Sequence, residues 1–300
     1  MRNNPPTLNA EPQRLRRVLS PLAVFALSFG CAVGWGSFVM PGTTFLPIAG
    51  PAGTAIGIAI GAVIMAIIGV NYAYLLNRYP DAGGTFSYTK NVFGYDHGFL
   101  SAWFLILVYL AIIWANATAI PLIFRSLLGN ALRFGFHYSI AGYDIYLGEI
   151  LISFATIVVF GLLTLRGTKV TALVQTALAL VLIACIAVAF GMTLFGQNHL
   201  TLNDIAPSFA PEHTPATGIL FIMFLAPWAF AGFESVTHSV EEYRFESKKT
   251  IHVMGAALLA SAFAYIALAL IASSAVPEEY ASWVEYIRDL PNLTGVEGIP

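Results

Sequence analysis

The chain reads as apolar blocks separated by short polar connections. Seven blocks are long enough to cross a bilayer, over residues 21–48, 52–77, 98–128, 147–165, 169–195, 215–239 and 251–276; about 20 residues are needed. The pattern predicts seven membrane helices. Two of them carry interruptions. The first has Gly30-Cys31-Ala32-Val33-Gly34-Trp35-Gly36-Ser37-Phe38 at its centre, and each glycine costs a helix about 1 kcal/mol relative to alanine. The sixth carries Pro227, which removes a backbone donor, then Ala231-Gly232, with Glu234 and His238 one turn apart beyond. Non-helical backbone at membrane depth is tolerated only where it is buried in protein or lines a cavity, so paired interruptions point to a binding site. The second block carries Gly53, Gly57 and Gly61 at spacing four, a stripe that lets a neighbouring helix approach closely.

Composition strengthens this reading. Hydrophobic residues make up 58% of the 300, charged residues only 10%, and mean hydropathy is +0.76, against roughly 25% charged in soluble domains. This predicts an all-α integral membrane protein whose surroundings are the lipid bilayer. The net charge of −2 says nothing about nucleic acid, and no basic cluster suggests it, so no nucleic-acid partner is expected. Cys31 and Cys185 both lie in apolar blocks and read as small core residues. Glu234 and His238 are too few for a metal site, and Gly34-x-Gly36 lacks the third glycine and the strand context of a dinucleotide loop. No catalytic constellation stands out, and no cofactor is implied. The first block follows Arg14, Arg16 and Arg17 like a signal peptide, but it is too long and more spans follow. With the N-terminus cytoplasmic, 11 of the 14 basic residues fall inside, as the positive-inside rule favours. The expected organisation is a cytoplasmic segment 1–20, a membrane domain 21–276 and an extracellular segment 277–300.

An interrupted helix suits a zwitterion. Half-helix N-termini offer free N–H groups and partial positive charge to a carboxylate; half-helix C-termini offer carbonyls to an ammonium group. The candidate carboxylate site is the N–H groups near Trp35, Gly36 and Ser37; the candidate amine site is the carbonyls near Val33 and Phe230, with Gly34, Ala231 and Gly232 beside them as further site candidates. Trp35 and Trp228 read equally as gates or as bulky core. Asn116, in the third span, reads as a site residue or as a hydrogen bond between helices. Glu234 is either a proton carrier or an acid tied across its own break.

The motifs also resemble a known family. The first interruption is similar to the G-(S/A)-x-I-G-S-G-I-F of the amino acid–polyamine–organocation superfamily of permeases. Pro80-Asp81-Ala82-Gly83-Gly84-Thr85-Phe86-Ser87-Tyr88 resembles its P-x-A-G-G-x-Y-x-Y, and Ala229-Phe230-Ala231-Gly232-Phe233-Glu234 its A-F-x-G-F-(D/E). Glu241-Glu242 matches the acidic pair that ends that helix. The resemblance implies the leucine-transporter fold, with five-helix inverted repeats, helices 1 and 6 broken, and a site between helices 1, 3, 6 and 8. It implies a cell-membrane transporter of an amino acid or related amine, coupled to protons or working by exchange. Trp228 and Glu234 match positions that, in relatives, pack on substrate and sense pH. There are departures: Trp35 replaces a small residue, Tyr74 a common glutamate, residues 175–182 hold no lysine, and Tyr243-Arg244-Phe245-Glu246 replaces an N-P motif. The family has ten core helices, so seven would be the first repeat and the start of the second. The expectation is a piece of a longer permease; the alternatives are an amino-acid sensor or an inactive truncated product.

Overall fold

The structure, a computed structural model, describes residues 15–140, 142–196, 201 and 205–294. Residues 1–14 of the expected cytoplasmic segment and 295–300 of the expected extracellular one lie outside it. Helix α1 (Pro21–Ala32) opens with a proline in its first turn and Ser20 as cap, whose Oγ accepts from the Ala23 N–H at 3.2 Å, satisfying one of the orphan donors of a helix start. It stops at Val33 and Gly34, and the chain resumes as α2 (Trp35–Met40). A π-helical turn, Pro41–Phe45, leads into α3 (Leu46–Arg78). Gly50, at φ +70°, bends α3 near its start. Its missing side chain matters, since a Cβ there would lie 2.7 Å from the backbone of Phe209 and Ala210.

The remaining elements are α4 (Thr85–Phe93), α5 (Tyr95–Leu128), strands β1 (His137–Ile140) and β2 (Tyr143–Tyr146), α6 (Leu147–Leu165), α7 (Thr168–Phe195), α8 (Pro215–Ala229), a 3-10 segment Phe233–Glu242, α9 (Thr250–Ser274) and α10 (Trp283–Thr294). Among the described residues, six helical stretches are long and apolar enough to cross a membrane, and Trp35–Arg78 is one stretch because it runs through the Gly50 bend. Dividing it there, and joining α1 to α2 as one interrupted rod, gives seven rods. The protein is an all-α, multi-pass membrane protein; the antiparallel hairpin β1–β2, two strands of four residues each, is an ornament on it.

Three elements depart from the expected pattern. The hairpin lies in what reads as a polar connection. Helix α4 follows directly on the Gly83-Gly84 turn. The segment expected to be an extracellular loop contains α10, whose Trp283 is buried against Leu46 and Ala210 and donates from Nε1 to the Pro207 carbonyl at 3.1 Å. Each is fixed by a contact distant in sequence, which hydropathy does not register.

The core lies between α1, α3, α8 and α9, where Val24, Phe45, Ile58, Met65, Ile222, Phe230, Met254 and Tyr265 pack together. Helix α7 joins through Ala179 and Ile186 against Phe29 and Ala257. Helices α5 and α6 turn apolar side chains such as Trp103, Phe104, Phe154 and Val159 outward, a surface suited to hydrocarbon rather than water. The glycine stripe meets α8: a Cβ on Gly57 would fall 3.0 Å from the Ile219 carbonyl, and one on Gly61 would overlap the Ala226 methyl. Gly61→Leu is therefore expected to destabilise the helix pair by at least about 1–3 kcal/mol, the usual cost of overpacking. Thermal melting in detergent checks this, with Gly255→Leu, on α9 with open space at its Cβ, as the control that melts normally.

Candidate functional site

Both interruptions exist as backbone, and they touch. At the first, Gly34 is extended (φ −111°, ψ −160°) between α1 and α2. At the second, α8 ends at Ala229, residues 230–232 form a turn, and Gly232 sits at φ +102°, a left-handed conformation that only glycine adopts cheaply. A Cβ on Gly232 would lie 2.9 Å from both the Cβ and the carbonyl oxygen of Cys31. Ser28, fully buried on α1, donates from Oγ to the Phe233 carbonyl at 2.8 Å. The break in the sixth rod is thus seated on the end of α1. The ten-residue 3-10 stretch beyond it is long for that geometry, which often marks a hinge or strain.

The candidate residues divide into two groups. On the α2 side, Asn116 Oδ1 of α5 accepts from the Trp35 N–H at 3.3 Å and would lie 3.2 Å from a Cβ on Gly34. Asn116 is held by its own amide, which donates to the Ile112 carbonyl at 2.9 Å. The Trp228 ring lies against Gly36, where a Cβ would fall 2.7 Å from Cη2; the ring is otherwise half exposed. Asn116 therefore meets Gly34 and Trp35, and Trp228 meets Gly36, along the first turn of α2. On the α1 side, Glu234 turns back on its own break, its Oε2 accepting from the Gly232 N–H at 3.0 Å. Ala231, partly buried, uses its N–H on the Trp228 carbonyl at 3.1 Å.

Three candidates are placed differently from a ligand-facing side chain. Ser37 is fully buried, with its N–H and its Oγ both donating to the Gly34 carbonyl, at 3.1 and 2.6 Å. It braces the turn. The side chains of Val33 and Phe230 are sealed, the latter packed edge-on to Tyr265 at 6.0 Å. Backbone remains at this level: the Tyr265 hydroxyl donates to the Ala32 carbonyl at 3.4 Å.

Sequence reasoning missed several partners. Ser28, Cys31, Tyr72, Tyr109 and Tyr265 all reach the breaks or their flanks; Tyr72 stacks edge-on against Phe233 at 6.2 Å. A polar group on an apolar helix that recurs toward one face was the available signal. Among the described residues no three His, Cys, Asp or Glu side chains come together as a metal site would require.

The architecture defines a multi-pass helical membrane protein whose two interrupted rods cross at their breaks. The chain belongs to the amino acid permease family, whose sequence pattern matches residues 19–292; this is a family of transporters, not of enzymes. It is 27% identical to a methylthioribose transporter of Bacillus subtilis (strain 168) over 90% of this chain and 58% of that protein. It is likewise 27% identical to the vacuolar cationic amino acid transporter 4 of Arabidopsis thaliana, over 90% of this chain and 45% of the relative. A serine/threonine exchanger of B. subtilis is 28% identical over 64% of this chain and 41% of its own length. The chain spans about half the length of the relatives it matches.

Proposed function

We propose that this chain forms the substrate-binding part of a secondary transporter that moves an amino acid or related amine across the cytoplasmic membrane by alternating access. The observation that carries the reading is the contact of the two breaks, Gly232 on Cys31, beside backbone groups of opposite polarity. The substrate carboxylate binds the first turn of α2, at the Gly36 N–H and at the Trp35 N–H once Asn116 yields it. The amine takes the carbonyls at Val33 and Phe230, the second once its 3.3 Å bond from the Phe233 N–H yields. Trp228 covers the solute from the α8 side, and Trp35 limits its size. The N-terminus is cytoplasmic, which places Arg16, Arg17, Arg78, Lys90, Arg166, Lys169, Arg244, Lys248 and Lys249 at one membrane face.

Glu234 carries the coupling proton in this reading. In its charged form the carboxylate holds the Gly232 N–H; taking a proton weakens that bond and frees the break to change shape. The three relatives are named for methylthioribose, cationic amino acids, and serine with threonine, so the substrate needs a screen. Purified full-length protein in liposomes, tested with labelled amino acids against the twenty amino acids and common polyamines, decides the class. Uptake raised by an inward proton gradient supports coupling. Glu234→Gln is expected to abolish that dependence while leaving exchange of preloaded substrate. Binding with no flux in any arrangement would make the protein a sensor instead.

A further inference from the structure

His238 does more than fill space on the 3-10 segment. Its Nε2 lies 3.2 Å from the Tyr109 hydroxyl of α5, and the two rings stand edge-on with centroids 6.1 Å apart. The opposite edge of the imidazole faces Gly84, the residue before α4. Any Cβ on Gly84 would collide with His238 Nδ1 and Cε1, and Gly84 sits at φ +50°. One turn further on, Glu241 Oε1 accepts from the Ala82 N–H at 2.9 Å. The receiving turn is itself fastened, since Asp81 Oδ1 accepts from the Gly83 N–H at 2.8 Å and from the Ser87 hydroxyl.

The far end of the segment is fastened to the residues that lead into α1. The Glu242 carbonyl accepts from the N–H groups of Val18 and Leu19 at 2.8 and 2.9 Å, and the Arg244 N–H donates to the Leu19 carbonyl at 2.9 Å. The Tyr243 hydroxyl donates back to the Val236 carbonyl at 2.6 Å; burial pushes its pKa up, so it stays a donor. These bonds tie the segment before α1, the body of α5, the Pro80–Gly84 turn and the 3-10 segment together. Most use backbone that would pair in any arrangement. The side-chain joint at His238 links three elements through groups whose alternative partner is water.

We propose that His238 is the positioning residue of a gate at the basic face: its joint with Tyr109 and the Gly83-Gly84 turn holds the 3-10 segment closed over the breaks, and parting of that joint opens the path from the breaks to that face. The inference rests on the transporter reading above. It assigns His238 and Tyr109 no contact with substrate, so their variants alter how often the path opens rather than how the solute is held.

The protein supplies its own reporter. It has two cysteines, and Cys31 sits at the break itself, against Gly232. In a Cys185→Ser background, full-length protein in oriented liposomes is treated with a membrane-impermeant charged maleimide from the basic face. Tyr109→Phe, which removes one hydroxyl, and His238→Ala are expected to raise the rate of Cys31 labelling about tenfold, equal to a gate shift of about 1.4 kcal/mol. His238→Gln, which keeps a polar group in reach of Tyr109, is expected to restore most of the closure. In uptake assays the same variants change the maximal rate and leave the concentration for half-saturation within about twofold. Labelling equal to the parent in Tyr109→Phe and His238→Ala, with flux intact, overturns the gate and spares the transporter. Cys31 unlabelled from either face in every variant, with no flux, overturns both. Should His238→Ala fail to fold, Tyr109→Phe decides alone.

Discussion

Gly36→Leu is expected to lower uptake at least about a hundredfold while the protein remains inserted in the membrane. A hundredfold is about 2.7 kcal/mol of transport barrier at about 1.36 kcal/mol per tenfold. The reason is local. A Cβ on Gly36 would lie 2.7 Å from Trp228 Cη2 and 3.3 Å from Cζ2, so any side chain there moves the indole or the α2 backbone. The ring is half exposed and can swing, but the side chain that displaces it starts from the first turn of α2, where the proposed carboxylate site lies. A leucine therefore fills the proposed carboxylate site with its own branch and displaces the ring that covers the solute. Insertion depends on summed hydropathy, which leucine raises. Gly36→Ala should fall between, since one methyl can be met by a small ring rotation. The check is uptake into vesicles normalised to inserted protein, and undiminished uptake by the leucine variant would remove this turn from the site.

The positions of both breaks were legible because their cause is local. Gly34 and Gly36 in one rod, and Pro227 and Gly232 in the other, weaken a helix whatever surrounds them. The Gly57 and Gly61 stripe was legible for the same reason, and the structure supplies the helix it meets, α8. What sits across each break was not legible. Cys31 against Gly232 and Tyr109 against His238 are separated by over a hundred residues, and hydropathy weighs a tyrosine in an apolar run the same on either face. The burial of Ser37 shows the converse. Its motif position marks it as part of the turn, but only the coordinates show both its donors spent on Gly34. Helix α10 and the hairpin escaped because each is held by a few long-range contacts, at Trp283 and at Arg125, rather than by period.

Arg125→Met is the second large effect, and it acts on stability rather than on the site. Glu149, in the first turn of α6, is 2% exposed. Both its oxygens are bonded by the Arg125 guanidinium: Nε reaches Oε1, and Nη2 reaches Oε2 at 2.7 Å and the Asp144 carbonyl at 2.6 Å. Oε2 also accepts from the Tyr146 N–H at 3.0 Å, closing a capping box on α6. One arginine near the end of α5 thereby holds strand β2 and the start of α6. Deleting it leaves a carboxylate buried without its cation, which costs about 3–5 kcal/mol, and a melting point roughly 6–20 °C lower follows from the usual scaling. Arg125→Lys should recover only part, because an ammonium cannot bond both oxygens in the plane of the carboxylate. The double variant Arg125→Met with Glu149→Leu separates two explanations. If the cost is the stranded charge, removing both groups restores most of the melting point; if it is the lost tether to the Asp144 carbonyl, the double variant, which also gives up the Glu149–Tyr146 bond, melts at least as low as the single one. The first outcome is expected, since a buried charge without a partner outweighs two hydrogen bonds worth about 1 kcal/mol each.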